Sequence, residues 1–173
     1  MSRKTDDPLL KTVALVLHVL VWLHAFAMIV VAIMLGAVLT IHRSEIVSDI
    51  AAKGLAADTY WAIVTVRAGV VAILFLGLRF TIELKRIVAS VGDGDPFIAD
   101  NATRLSHMAW LTLARYLIAF PVSVAAAATD ELAERFSIEF DATGGVVIVF
   151  TLFILARVFR TGTEMREELE GVV

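Results

Sequence analysis

Cysteine is absent from the 173 residues, which removes disulfides, thiolate metal sites and cysteine nucleophiles. Charge is scarce: 19% of the residues are charged, against about 25% in ordinary soluble domains. A basic excess is missing too. Lys+Arg 15 stand against Asp+Glu 18, for a net charge of -3, so direct nucleic-acid binding is not expected. No Asp or Glu falls inside a long apolar run, whereas proton relays and cation-coupled transporters normally carry buried carboxylates. G-x-S-x-G, Walker, H-E-x-x-H and dinucleotide signatures do not occur. The chain is therefore expected to be non-enzymatic, with no cofactor and no metal site.

What is present is hydrophobicity, at 59% of positions and a mean hydropathy of +0.84. Thr12 to His42 carry no charged side chain. As a helix that run measures about 45 Å, against a hydrocarbon thickness of about 30 Å. It is too long for the apolar core of a signal peptide and reads as a retained span. Three further stretches are interrupted by arginine: 60–82 by Arg67 and Arg79, 105–128 by Arg115, and 143–160 by Arg157 near its end. On the insertion scale each Leu, Ile, Phe or Val contributes about -0.3 to -0.6 kcal/mol and a central Arg costs about +2.5 to +3.5 kcal/mol. The stretch 105–128 has only eight such apolar residues, so it sums to near zero and is expected to depend on its neighbours.

The fold expected is all-α: an integral membrane protein of one domain, with four transmembrane helices at about 12–41, 60–82, 105–128 and 143–160. Helical extensions over 83–91 and 160–170 continue the second and fourth spans. With both termini cytoplasmic, ten basic residues lie inside or at the inner helix ends (Arg3, Lys4, Lys11, Arg79, Lys85, Arg86, Arg104, Arg157, Arg160 and Arg166), and three face out (Arg43, Lys53 and Arg135). That bias obeys the positive-inside rule.

The first outer loop reads as a short interfacial helix, capped by Ser44, with Ile46, Val47, Ile50 and Ala51 on one face and Gly54 as its stop. The second outer loop offers Thr129 and Asp130 as caps and then alternates Phe136, Ile138 and Phe140. Small residues at four-residue spacing (Ala32, Gly36, Thr40; Ala68, Ala72; Ala119, Ser123, Ala127) predict close helix contacts, and Pro121 predicts a bend. The inner stripe Leu84, Ile87, Val88 and Val91 must be buried, by Phe159, Met165 and Leu169, by the turn around Phe97, or by a separate protein.

Four histidines, His18, His24, His42 and His107, are read as interfacial or packing residues; His18 or His24 with His107 would be the pairing for a haem, which is not expected. Arg67 and Arg115 are the candidate ligand residues, for an anionic solute or lipid, with snorkelling toward headgroups as the simpler alternative. Asp93, Asp95, Asp100 and Asn101 lack the alternation of a calcium loop and read as a turn, with Gly92 and Gly94 supplying unusual backbone angles. Lys85 and Arg86, with Glu164, Glu167 and Glu168, are outward charges suited to docking a partner.

The segment Glu83, Leu84, Lys85, Arg86, Ile87, then Gly94, Asp95, Pro96, Phe97, Asn101 and Leu105, with Ala156, Arg157, Val158, Phe159, Arg160 and Gly162, resembles the bacterial membrane family catalogued as domain of unknown function 2975. The resemblance implies a four-helix protein of the bacterial inner membrane with no assigned catalytic residue. It also implies a small helix-turn-helix regulator as partner. Gly94, Pro96, Phe97 and Asn101 in the inner loop, and Arg157 and Arg160 at the helix end, carry over as a shared structural pattern. The function expected is that of an accessory or regulatory protein presenting a cytoplasmic surface to a partner, in contact with membrane lipids and compatible with a homo-oligomer. The alternative is a small transport or ligand-binding protein using Arg67 or Arg115.

Overall fold

The computed structural model of the protein describes residues 8–127 and 142–170. Five helices occupy them: α1 (Pro8–Leu39), α2 (Arg43–Ala52), α3 (Thr59–Gly92), α4 (Ala99–Ala127) and α5 (Ala142–Glu170). All but α2 are long and apolar enough to cross a membrane. Apolar runs of this length take helical form because a backbone in lipid has no water to bond and must satisfy its own N–H and C=O groups. Thr129, Asp130, Phe136, Ile138 and Phe140, together with Arg3, Lys4 and Arg135, lie outside the described residues.

The long helices pack in chain order, α1 on α3, α3 on α4 and α4 on α5. The consequence shows in burial. In its most apolar stretch α1 has 0% of residues buried, whereas α4, flanked on both sides, has 28%. The helix whose insertion sum is weakest is thus the one most enclosed by protein.

Helix α3 runs without a break through the inner extension and ends in a turn built on Gly94, whose φ is 84°. Gly94 N–H donates to Val91 O (3.0 Å) and Asp95 N–H to Ser90 O (3.1 Å). This closes the helix in the left-handed Schellman form that glycine adopts at little cost. Gly92 remains helical and contributes no unusual angle, contrary to expectation. Helix α4 continues through Pro121.

At the opposite end α2 folds back over the α1–α3 pair. Ile50, Val38 and Tyr60 form a small core there with Ile46 against it, and Tyr60 donates its hydroxyl to Val38 O (3.4 Å). Ser44 is not the cap. The N-cap residue is His42, whose Nδ1 lies 3.0 Å from Glu45 Oε2, and Ser44 sits inside the helix.

Close helix contacts fall on glycines, while of the small-residue rows named above Ala119 is buried and Ala72 and Ser123 are partly covered. Gly69 faces Val122, Gly77 faces His24, Gly145 lies against the Tyr116 ring, and Gly162 lies against the Phe97 ring. Ala32, Gly36 and Thr40 are exposed along α1, and nothing stands within 4 Å of a Cβ built on Gly36. On α1 the four-residue spacing marks a smooth surface that no neighbour covers.

Candidate functional site

The end of the bundle that carries the α3–α4 turn collects most of the polar structure. Asn101, in the first turns of α4, is 0% exposed. Its Nδ2 donates to Ser90 Oγ on α3 (2.6 Å) and to Pro96 O in the turn (2.8 Å), while its Oδ1 accepts from Arg104 Nη1 (2.8 Å). Ser90 passes the chain on to Ile87 O (2.8 Å), and Arg104 also binds Asp100 (3.1 Å). One buried amide therefore ties the end of α3, the turn and the start of α4 together, with both its donor and its acceptor sides used.

Helix α5 is fastened to the same turn. Phe97 stacks obliquely on Phe159, with centroids 5.2 Å apart at 34°, and its ring covers Gly162, where a Cβ would come within 2.8 Å of Cδ1. Arg166 donates to the Asp95 carboxylate. Of the motif residues singled out in the sequence, Gly94, Pro96, Phe97 and Asn101 are gathered here with Asp95 and Gly162. Arg157 and Arg160 are exposed on α5 and have no ion pair among the described residues.

Beneath the turn, Ile87, Leu105, Met108, Ala109, Leu152 and Ala156 form a core with Phe80, Leu84, Phe153 and Phe159 packed against it. The inner stripe is thus buried in part as expected. Met165 and Leu169 take no part in it: they are 58% and 72% exposed, because this part of α5 lies level with the turn, as the Arg166–Asp95 pair shows.

Lys85 and Arg86 are engaged within the protein. Lys85 Nζ lies 2.9 Å from His18 Nδ1 on α1, and Trp22 Nε1 donates to His18 Nε2 (3.1 Å). A neutral imidazole has a single acceptor nitrogen, so a charged Lys85 and Trp22 compete for it. Arg86 reaches both oxygens of Glu83 at 3.3 and 3.4 Å.

Glu83 was not anticipated as a site residue. It is 4% exposed, between Arg79 at 4.0 Å and Arg86, and it lines a groove of about 320 Å³ with Arg79, His107, Trp110, Leu111 and Ala114. The signal was available: 79, 83 and 86 share one helical face, and a carboxylate between two arginines at those spacings is a paired group.

Arg67 and Arg115 do not form one site. Gly69 facing Val122 fixes the antiparallel register of α3 and α4, which sets the two arginines about 13 Å apart along the helix axis. Arg67 is half-buried and Arg115 exposed, and neither has a hydrogen-bond partner among the described residues. His24 packs on Gly77 with Nδ1 2.8 Å from Leu20 O. His18 and His107 lie at similar depth, but on α1 and α4, with α3 between.

A family model described as Protein of unknown function (DUF2975) matches residues 50–173, and the chain belongs to that family. The match begins near the end of α2 and takes in α3, α4 and α5, leaving α1 outside it. No curated protein and no solved structure matches the chain.

Proposed function

We propose that this member of the family is a non-enzymatic, multi-pass protein of the bacterial inner membrane whose α3–α4 turn and α5 end lie in the cytoplasm and dock a regulatory protein. The charges support the orientation: Lys11, Lys85, Arg86, Arg104, Arg160 and Arg166 cluster at the turn end, against Arg43 and Lys53 at the α2 end.

The observation that carries the docking role is the pair Met165 and Leu169, exposed beside Glu164, Glu167 and Glu168 on an extension of α5. Three acids in successive turns keep that segment out of lipid, so the apolar pair has water or a protein as its surroundings. The Asn101 network and the Asp95–Arg166 pair hold the base of this extension in place. A site already ordered loses less entropy on binding. The occupant that fits is a basic, amphipathic surface on a small helix-turn-helix regulator, the partner class implied by the family resemblance.

A two-hybrid assay in bacteria between the full-length protein and a small helix-turn-helix regulator from the same genome, of the class the family resemblance implies, tests this reading. Met165→Ser with Leu169→Ser should abolish the signal, and Lys85→Glu with Arg86→Glu, which alters side chains already engaged inside the protein, should lower it less. Absence of a wild-type signal ends the proposal.

A further inference from the structure

The groove under Glu83 stands apart from the docking extension and has its own chemistry. Three residues whose side chains bear N–H groups line it, and none of the three donates to a hydrogen-bond acceptor among the described residues: Arg79, His107 and Trp110. Arg79 approaches Glu83 no closer than 4.0 Å, an ion pair that steers the guanidinium without using its five donors. The carboxylate itself is taken up by Arg86 at 3.3 Å. Glu83 and Arg79 are the charged groups of the lining; because the carboxylate's nearer partner is Arg86, which stands outside the groove, the Arg79 guanidinium is the charge left to meet a ligand, and it favours an anion.

Depth says what kind of anion. The groove lies at the level where α3 leaves its apolar stretch, with Trp110 60% exposed, as tryptophans at a headgroup boundary are. Its other walls, Leu111 and Ala114, are apolar. A volume of about 320 Å³ is roughly ten times that of one water in the liquid, enough for a phosphate with part of the ester attached to it.

We propose that Arg79, His107 and Trp110 form a binding site for the phosphate group of an anionic phosphate ester, with Glu83 and Arg86 as positioning residues and Leu111 and Ala114 contacting the apolar part. Guanidinium and phosphate match in geometry as well as in charge. A phospholipid headgroup and a free phosphate ester share this chemistry, and the test separates them.

The full chain, with Trp22→Phe and Trp61→Phe so that Trp110 is the one fluorophore, is placed in phosphatidylcholine nanodiscs holding a minor fraction of brominated phosphatidylglycerol or, in parallel, brominated phosphatidylcholine. Stronger quenching by the phosphatidylglycerol is expected. Arg79→Gln should reduce that preference about fivefold, the worth of one cation near an anionic surface. Arg79→Lys should keep part of it, and Arg160→Gln, on the exposed side of α5, should leave it unchanged. In the second arm, inorganic phosphate is titrated by calorimetry into unbrominated phosphatidylcholine discs. Saturable heat that vanishes in Arg79→Gln assigns the site to free phosphate. Equal quenching by both lipids with no phosphate heat overturns the proposal, as does a preference that survives Arg79→Gln or falls equally with Arg160→Gln.

Discussion

Replacing Gly69 with alanine would set a Cβ 2.0 Å from Val122 Cγ2 and 3.4 Å from Val122 Cβ. The valine has no room to retreat. It is 2% exposed, beside Val66 and Ala126 in the α3–α4 core, and a helical valine has one strongly preferred rotamer. Overpacking of this kind costs about 1–3 kcal/mol, while exchanging glycine for alanine within a helix returns about 0.8–1 kcal/mol. The net expectation for Gly69→Ala is a loss of up to about 2 kcal/mol. Val122→Ala removes two buried methyl groups and should cost roughly 1–3 kcal/mol by itself, on the scale of other core truncations. In the double variant the methyl added at 69 occupies the space vacated at 122, so the two changes should compensate each other by about 1–2 kcal/mol, within the range of contacting pairs. Reversible unfolding in mixed micelles, titrated with sodium dodecyl sulfate and followed by circular dichroism, measures all four corners of the cycle. Additive losses would refute the close α3–α4 approach at this level.

Other expectations follow from the turn and the orientation. Asn101→Leu takes the donor from the Pro96 carbonyl, while Ser90 keeps Ile87 O and Arg104 keeps Asp100; it should lower stability by about 1–3 kcal/mol, read as a lower melting temperature and as faster proteolysis at residues 93–98. Asp95→Asn, at a half-exposed pair, should cost only about 0–1 kcal/mol in the same melts. Gly162→Ala should be tolerated, because the half-exposed Phe97 ring can swing away, whereas Gly162→Leu should detach the turn from α5 and raise Phe97 exposure in hydrogen-exchange measurements. For orientation, a cysteine at Ser48 should react with an impermeant maleimide on intact cells and one at Ala99 should not. The reverse labelling would invert the proposed topology.

The four long helices were legible in the sequence because a run such as Thr12 to His42 has no alternative structure in lipid, and the stop at Gly94 was legible because an Asp-Gly-Asp-Pro sequence cannot continue a helix. The neighbour of each helix was not. Periodicity assigns a face, but it does not say which other helix supplies Val122 for Gly69 or Tyr116 for Gly145. At the site, the turn residues Gly94, Pro96, Phe97 and Asn101 were recognised as a group through family pattern, while their joint dependence on one buried amide was visible only in three dimensions. Arg67 and Arg115 drew attention because a charge inside an apolar run is conspicuous. In the sequence Arg79, Glu83 and His107 read singly, as a charge at a helix end, a member of the family pattern and an interfacial histidine, because residues at the end of a span look ordinary until a second helix brings them into one groove.

The chain-order packing of α1, α3, α4 and α5 bears on how the protein is made. A helix that packs on its sequence predecessor needs to search only among segments already synthesised, so the route into the bilayer can proceed one neighbour at a time. Helix α4, unable to favour lipid strongly with Arg115 inside it, arrives when α3 is present to receive it. Helix α5 then seals its other side and locks the turn through Phe97. Helix α1, which packs on α3 and precedes the family match that starts at residue 50, would on this order be in the bilayer first and offer α3 the surface on which the rest is laid down.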